Sequence, residues 1–282
     1  MPASAGQALQ VARSRLAATS QNPRRDAEVL LAHILGCGQT ALLTHPERPL
    51  SLPELARYES FLTRRLASEP MQYITGAQEF FGLLFEVTPD VLIPRPETEQ
   101  LVEALLERIG PQANARIVNT RILDVGTGSG AIAVALAHTL PQSQVTALDL
   151  SLAALEVARR NAERHGVSER VRFLHSDLLE AVDSADFDAV VSNPPYVADA
   201  EVLERQVSDY EPHSALYAGP TGLEVYERLI PQVRKVLKPE GWLLLEVGFG
   251  QSPALLRLLS DWTDVSFQND LQGIPRVAVA RR

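Results

Sequence analysis

Apolar residues recur at helical spacing through the first 70 positions of the chain. Leu9, Ala12 and Leu16 share one face, Leu30, Leu31, Ile34 and Leu35 a second, and Leu55, Tyr58, Leu62 and Leu66 a third. Gly36, Gly38, Pro46, Pro49 and Pro53 punctuate these stripes, so residues 1–70 read as a small helical domain. The pattern changes in "MQYITGAQEFFGLLFEV", where aromatic and β-branched residues around Gly76 and Gly82 predict a β-hairpin linker over 71–90. "PRPETEQLVEALLERIG" then predicts a helix, with Pro96 near its first position, acids in its first turn and Gly110 beyond its end.

From about residue 117 strands and helices alternate. "RILDVG", "QVTALDL", "VRFLHSDL", "FDAVVSN" and "GWLLLEVGF" read as strands, and "GAIAVALAHTL", "SLAALEVARRNAERHG", "GLEVYERLIPQVRKVL" and "PALLRLLSDW" as helices. The alternation predicts an α/β fold with a doubly wound parallel sheet over 91–282. Two final strands, "DVSFQND" and "PRVAVAR", are separated by a short turn and introduce one antiparallel strand near the C-terminus.

Composition narrows the class. Across 282 residues, 45% hydrophobic and 22% charged content is that of a soluble globular protein long enough to bury a real core. A single cysteine, Cys37, excludes an internal disulfide framework and reads as a small packed residue. With no apolar stretch long enough for a bilayer and no signal-like apolar run, the expectation is a cytoplasmic protein without a membrane partner. Residues 1–70 hold eight arginines and six acids, a net of +2, against −11 for the remainder and −9 overall. An acidic bulk argues against a dedicated nucleic-acid binder and suits a protein partner. The six histidines (33, 45, 138, 165, 175 and 213) show no metal-ligand spacing, so no metal is expected.

The candidate chemistry lies at the predicted carboxyl ends of strands, where ligands of such sheets bind. Gly126, Gly128 and Gly130 follow "RILDV" at alternate positions and permit a tight turn with close backbone approach to a ligand. Gly126-x-Gly128-x-x-Ala131 also satisfies the looser dinucleotide fingerprint, with Asp149 at the expected distance. Asp124 separates the two readings. A carboxylate there would crowd a pyrophosphate, whereas it suits the ammonium and sulfonium of S-adenosylmethionine, which carries no phosphate. Asp149 is placed to accept from ribose hydroxyls or, alternatively, to cap the helix starting near Ser151. Asp177 and Leu178 fall where an adenine would lie, with Asp177 toward its exocyclic amine.

"SNPPY" ends a strand on residues that neither pack a core nor continue a sheet. Pro194 and Pro195 lack N–H groups, so carbonyls in this turn stay free to accept, and Asn193 adds a side-chain carbonyl. Two acceptors can grip the two hydrogens of a planar –NH2 group while Tyr196 stacks on its face. That arrangement suits methylation of an amide or exocyclic amine, with catalysis by positioning and electrostatics and no strong general base.

The chain resembles the protein-(glutamine-N5) methyltransferases that modify peptide chain release factors, the HemK/PrmC type. The likeness runs through "EPMQYITGAQEFFG", "VLIPRPETE", "LDVGTGSGAIAVALA", "SNPPY", "YEPHSALYAG" and "GIPRVAVAR". The resemblance implies a Rossmann-like class I S-adenosylmethionine-dependent methyltransferase sheet, parallel with one antiparallel strand near the C-terminus, preceded by a small helical domain that recognises substrate. It implies transfer of a methyl group to the glutamine side-chain amide of a Gly-Gly-Gln motif in the release factor, leaving S-adenosylhomocysteine, by a monomer that uses no nucleic-acid substrate. The donor would lie along Asp124, Gly126, Thr127, Gly128, Ser129, Gly130, Asp149, Asp177, Leu178 and Asn193, with Leu178 where relatives carry an aromatic. Substrate would occupy Asn193, Pro194, Pro195 and Tyr196, with Asn193, Pro194 and Tyr196 catalytic. "NPPY" is shared with amino methyltransferases of DNA and RNA, which remain the alternative, although only 86 residues follow Tyr196 and the sheet uses them. An NAD-dependent oxidoreductase would explain the glycines but neither Asp124 nor Asn193–Tyr196. A non-catalytic binding protein would have no need of the intact motifs.

Overall fold

The computed structural model describes residues 4–109, 119–183 and 186–282. They form two units, one of residues up to Ala77 with Leu203–Tyr210, the other of Gln78–Val202 with Glu211–Arg282. The first contains α1 (Ala5–Leu16), α2 (Pro23–Leu35), α3 (Gln39–Thr44), α4 (Leu52–Leu66) and α5 (Met71–Thr75). Capping boxes start α1 (Ser4 with Gln7) and α4 (Ser51 with Glu54), each satisfying backbone N–H groups left over at a helix start. Asn22 caps α2, and Gly36 ends it in the left-handed region at φ 60°. Leu16, Leu30, Leu31, Tyr58 and Leu62 are fully buried together, and Leu9, Leu35, Leu55 and Leu66 pack around them. The Tyr58 hydroxyl stays satisfied there by donating to the Ala27 carbonyl at 3.0 Å.

Residues 71–75 are helical, whereas the aromatic and β-branched composition predicts strand. The Pro70 carbonyl accepts from Tyr73 and Ile74, Arg64 donates to the Tyr73 carbonyl, and Gly76 stops the turn at φ 74°. Burial of Tyr73 and Ile74 outweighs their β propensity.

The second unit opens with the hairpin β1 (Ala77–Phe80) and β2 (Leu83–Glu86), followed by α6 (Pro96–Ile109). Phe80 and Phe85 meet edge-on at 6.1 Å and are fully buried with Leu101 and Leu105, so the hairpin is part of this unit's core. The predicted helix stop at Gly110 lies outside the described residues. There follow β3 (Arg121–Val125), α7 (Ala131–Thr139), β4 (Gln144–Asp149), α8 (Leu152–Arg164), β5 (Val171–His175) and β6 (Phe187–Ser192). The irregular stretch holds β7 (Val197–Ala198), α9 (Arg205–Ser208, in the first unit), α10 (His213–Leu216) and β8 (Tyr217–Gly219). The chain ends with α11 (Glu224–Val236), β9 (Leu237–Glu246), α12 (Ser252–Leu258), β10 (Thr263–Asn269) and β11 (Pro275–Arg281).

Seven strands form one sheet in the order β10-β11-β9-β6-β3-β4-β5. β9, β6, β3, β4 and β5 are parallel, and β11 runs antiparallel to both β9 and β10. Successive side chains point to opposite faces. Ile122, Ala189 and Val191 therefore pack with α6, α7 and α8, and Leu123 and Val190 with α11 and α12. β9 begins at Leu237, directly after α11, and leaves the sheet after Glu246, so the predicted strand residues Val247–Phe249 form a loop instead. Among the described residues no helix is long and apolar enough to cross a membrane.

Candidate functional site

The four neighbouring strands β3, β4, β5 and β6 run in one direction, which brings Gly126, Asp149, Asp177 and Asn193 to the same edge of the sheet. A cavity of about 500 Å³ opens there. Two further segments wall it, Asp90–Leu92 and residues from Pro212 to Ala218. A buried clasp ties these walls together. Glu211 pairs with Arg95 and also accepts from the Ile93 N–H at 3.1 Å.

The turn after β3 depends on its glycines. Gly126, Gly128 and Gly130 adopt φ values of 74°, 55° and 82°, where a side chain is strained. Around Gly126 and Gly128 the space a Cβ would fill is open, and both line the cavity. At Gly130 a Cβ would stand 3.0 Å from that of Ala158, so this glycine lets α7 start tight against α8. Gly126 and Thr127 donate to the Leu148 carbonyl, and Asn161 Nδ2 on α8 donates to that of Ser129 at 2.9 Å. Asn161 also exchanges hydrogen bonds with the backbone of Glu86, tying the turn to the hairpin.

Asp124 lies beneath this turn, fully buried. Its Oδ2 accepts from Thr127 Oγ1 at 2.7 Å, while Oδ1 is buried with no protein partner among the described residues. Burial pushes the carboxyl up to about 7, against the hydrogen bonds from Thr127 and the backbone N–H of Ala133. An unpartnered buried carboxylate oxygen is costly, and a donor bearing positive charge would relieve it.

Asp149 Oδ2 accepts from the Gly128 N–H and Oδ1 from the Ser151 N–H, both at 2.8 Å. Ser151, rather than Asp149, supplies the side-chain cap of α8. Burial raises the Asp149 carboxyl too, with these backbone N–H groups opposing. One carboxylate thus joins the ends of β3 and β4 and still presents lone pairs to the cavity. Asp177 Oδ2 is held by Arg228 at 2.7 Å, and Leu178 sits in the left-handed region at φ 48°, uncommon for a non-glycine residue. Both line the cavity.

The Asn193–Tyr196 turn is anchored from several sides. Ser192 Oγ donates to the Val125 carbonyl at 2.6 Å, and Gln251 Nε2 to that of Tyr196 at 2.9 Å. Asn193 Nδ2 donates to Thr98 Oγ1 at 3.2 Å, and Thr98 Oγ1 in turn to Glu246 Oε2 at 2.6 Å. Among the described residues no donor reaches Asn193 Oδ1 or the Pro194 carbonyl, the acceptors the sequence predicts to be free; the Tyr196 carbonyl is taken. The Tyr196 hydroxyl donates to Glu246 Oε1 at a long 3.4 Å, and burial raises the phenol well above its ordinary value.

Of the residues singled out from the sequence, Gly126, Gly128, Asp149, Asp177, Leu178, Asn193 and Pro195 line the cavity. Asp124, Thr127, Ser129, Gly130, Pro194 and Tyr196 belong to the strand end and the two turns around it and are not among its lining residues. Thr98, Asn161, Gln251, Glu246 and Arg95 were not selected from the sequence, since each acts through a partner at least 32 positions away.

Comparison with known proteins agrees with this architecture. Residues 7–76 match the family described as PrmC N-terminal domain and residues 98–209 the methyltransferase small domain. Two solved structures share the fold. A T. thermophilus 16S rRNA methyltransferase in complex with AdoMet and guanosine is 23% identical (TM-score 0.55), covering 73% of this chain and 49% of that one. A methyltransferase from Pyrococcus furiosus is 19% identical (TM-score 0.51), covering 81% and 98%. The sequence relatives are nearer. Release factor glutamine methyltransferases of Koribacter versatilis and Geobacter sulfurreducens are 48% and 43% identical, covering 94% and 93% of this chain and 94% and 90% of their own. At that identity over nearly its whole length, the chain belongs to the release factor glutamine methyltransferase family.

Proposed function

We propose that this chain transfers a methyl group from S-adenosylmethionine to the side-chain amide nitrogen, N5, of the glutamine in the Gly-Gly-Gln motif of peptide chain release factors. The residues present fit such a donor. Asp124 Oδ1 is a buried carboxyl oxygen without a hydrogen-bond partner among the described residues, suited to an ammonium. Gly126 and Gly128 leave open space for close approach, and Asp149 and Asp177 are acceptors for hydroxyl and amine groups along the same cavity. S-adenosylmethionine supplies an electrophilic methyl on a sulfonium and leaves as the thioether S-adenosylhomocysteine.

The chain's own task is to orient a poor nucleophile. An amide nitrogen has its lone pair delocalised into the carbonyl. In this reading Asn193 Oδ1 accepts one amide hydrogen and the Pro194 carbonyl the other, which pushes density back onto nitrogen and fixes its direction of attack. Tyr196, kept neutral by its raised phenol, offers a ring to the flat amide. The nitrogen gains one methyl and gives up one proton to solvent, so no strong base is needed. The observation that carries the reading is Asn193, which lines the cavity with its Nδ2 donating to Thr98 and, among the described residues, no donor on its oxygen. The helical unit of residues 1–70 recognises the protein substrate, and the enzyme acts as a cytoplasmic monomer without a metal.

The test is transfer of labelled methyl from S-adenosylmethionine with unmodified release factor, DNA and RNA offered in parallel. Label in the factor alone is expected. Label in nucleic acid alone would transfer the turn to an extruded base and defeat the proposal.

A further inference from the structure

Glu246 is a buried carboxylate at the end of β9 that the proposed transfer does not use. We propose that Glu246, acting through Thr98, sets the direction of the Asn193 side-chain amide and so decides whether its oxygen or its nitrogen faces the substrate. This rests on the amide-methylating role proposed above. Glu246 and Thr98 are positioning residues here, and Asn193 is the group that touches substrate.

Hydrogen-bond direction decides how the Asn193 amide turns. Thr98 Oγ1 lies 2.6 Å from Glu246 Oε2 and 3.2 Å from Asn193 Nδ2. A hydroxyl has one proton and an ionised carboxylate can only accept, so the Thr98 proton goes to Glu246. Thr98 then has only lone pairs to offer Asn193, and the nitrogen end of the amide must turn toward it. Oδ1 is left pointing the other way, able to accept from a substrate amide. Protonated Glu246 reverses the chain. It can donate to Thr98, whose own proton is released toward Asn193, and the oxygen of the amide is then drawn away from the substrate.

The surroundings of Glu246 permit such a change of state. Thr98 and Glu97 face it from α6, Tyr196 from the turn after β6, Tyr226 from α11 and Arg276 from β11. Tyr226 donates to the Glu246 main-chain carbonyl at 2.8 Å and leaves the carboxylate to Thr98 and Tyr196. Arg276 favours the charged form but is itself held by Asp270 at 3.0 Å, and Glu97 opposes it. Burial dominates and pushes the carboxyl up to about 7.

The experiment measures kcat for release-factor methylation from pH 5.5 to 9 (roughly the span bracketing such a carboxyl) at saturating S-adenosylmethionine. The wild-type kcat is expected to fall as pH drops through the Glu246 titration. Thr98→Val should lower kcat about 10- to 100-fold, as for a displaced reacting group, abolish that acid limb and leave the donor dissociation constant unchanged. Thr98→Ser should recover most of the loss. Glu246→Gln, which donates and accepts like the protonated acid, should give a pH-independent rate near the wild-type acid plateau. A Thr98→Val enzyme with wild-type kcat, or a Glu246→Gln enzyme that keeps the acid limb, would overturn the proposal. The Asn193 side-chain NH2 resonance, assigned by its loss in Asn193→Ala, provides a readout without turnover. It should titrate in the wild type and not in Glu246→Gln, and a wild-type resonance that does not titrate also overturns the relay. Absence of wild-type methylation with a titrating resonance would instead refute the substrate reading alone.

Discussion

Replacing Asp124 by asparagine should make the donor-free protein relatively more stable at high pH while weakening its donor site. The folded protein holds this carboxyl near 7 instead of its ordinary 3.8, chiefly through burial. A carboxyl raised on folding contributes stability below its unfolded value, and that contribution is lost as pH rises through the folded value. At about 1.4 kcal/mol per unit, the folded state forfeits roughly 2–3 kcal/mol between pH 5 and pH 8. Asparagine has no such titration and still accepts from Thr127. Its buried amide has a fixed cost of about 1–3 kcal/mol, which cancels when the two pH values are compared. Denaturant unfolding of both proteins without donor, at pH 5 and pH 8, measures the double difference. The variant-minus-wild-type stability should grow by about 2–3 kcal/mol from the lower pH to the higher. A difference that is flat, or that shrinks, would refute the assignment of a buried carboxyl held near 7 beneath the glycine turn. Calorimetry of S-adenosylmethionine binding at pH 6 in buffers of different ionisation enthalpy should show release of about one proton, absent in Asp124→Asn.

Three further outcomes follow from the geometry. Asn193→Ala should lower kcat about 100- to 1,000-fold, as for loss of one preorganised polar group, while thermal unfolding stays close to wild type. Gly130→Ala sets a Cβ 3.0 Å from that of Ala158 at φ 82° and should cost about 2–4 kcal/mol in denaturant unfolding. Ser151→Ala removes the cap of α8, whose oxygen accepts from the Ala154 N–H, at about 1 kcal/mol.

Much of the second unit was legible because its signals are local. The strand–helix alternation gave the parallel sheet, and glycines at alternate positions after "RILDV" marked a turn needing left-handed backbone. Asn193-Pro194-Pro195-Tyr196 was readable because two prolines cannot sit inside a ladder. The five-residue helix Met71–Thr75 was not, because "MQYIT" has strand composition and is held by Pro70, Arg64 and burial. The hairpin looked like a linker until Phe80 and Phe85 proved to fill the core. Within the site, Asp177 was visible but its capture by Arg228 was not. The position of Gly130 was evident, and the reason for it lies in Ala158 on another helix. Thr98 reads as a first-turn helix residue and Glu246 as a strand end, yet they meet 148 positions apart. Hydrogen-bond partners that distant leave no periodicity in one sequence.

In the proposed reaction Asn193 and the turn it begins present a glutamine amide for methylation. The most direct measurement of that role is peptide mass mapping of a release factor incubated with S-adenosylmethionine and either the wild-type enzyme or Asn193→Ala. One added methyl on the Gly-Gly-Gln glutamine is expected with the wild type and almost none with the variant. A methyl on any other residue, or full modification by Asn193→Ala, would contradict that role.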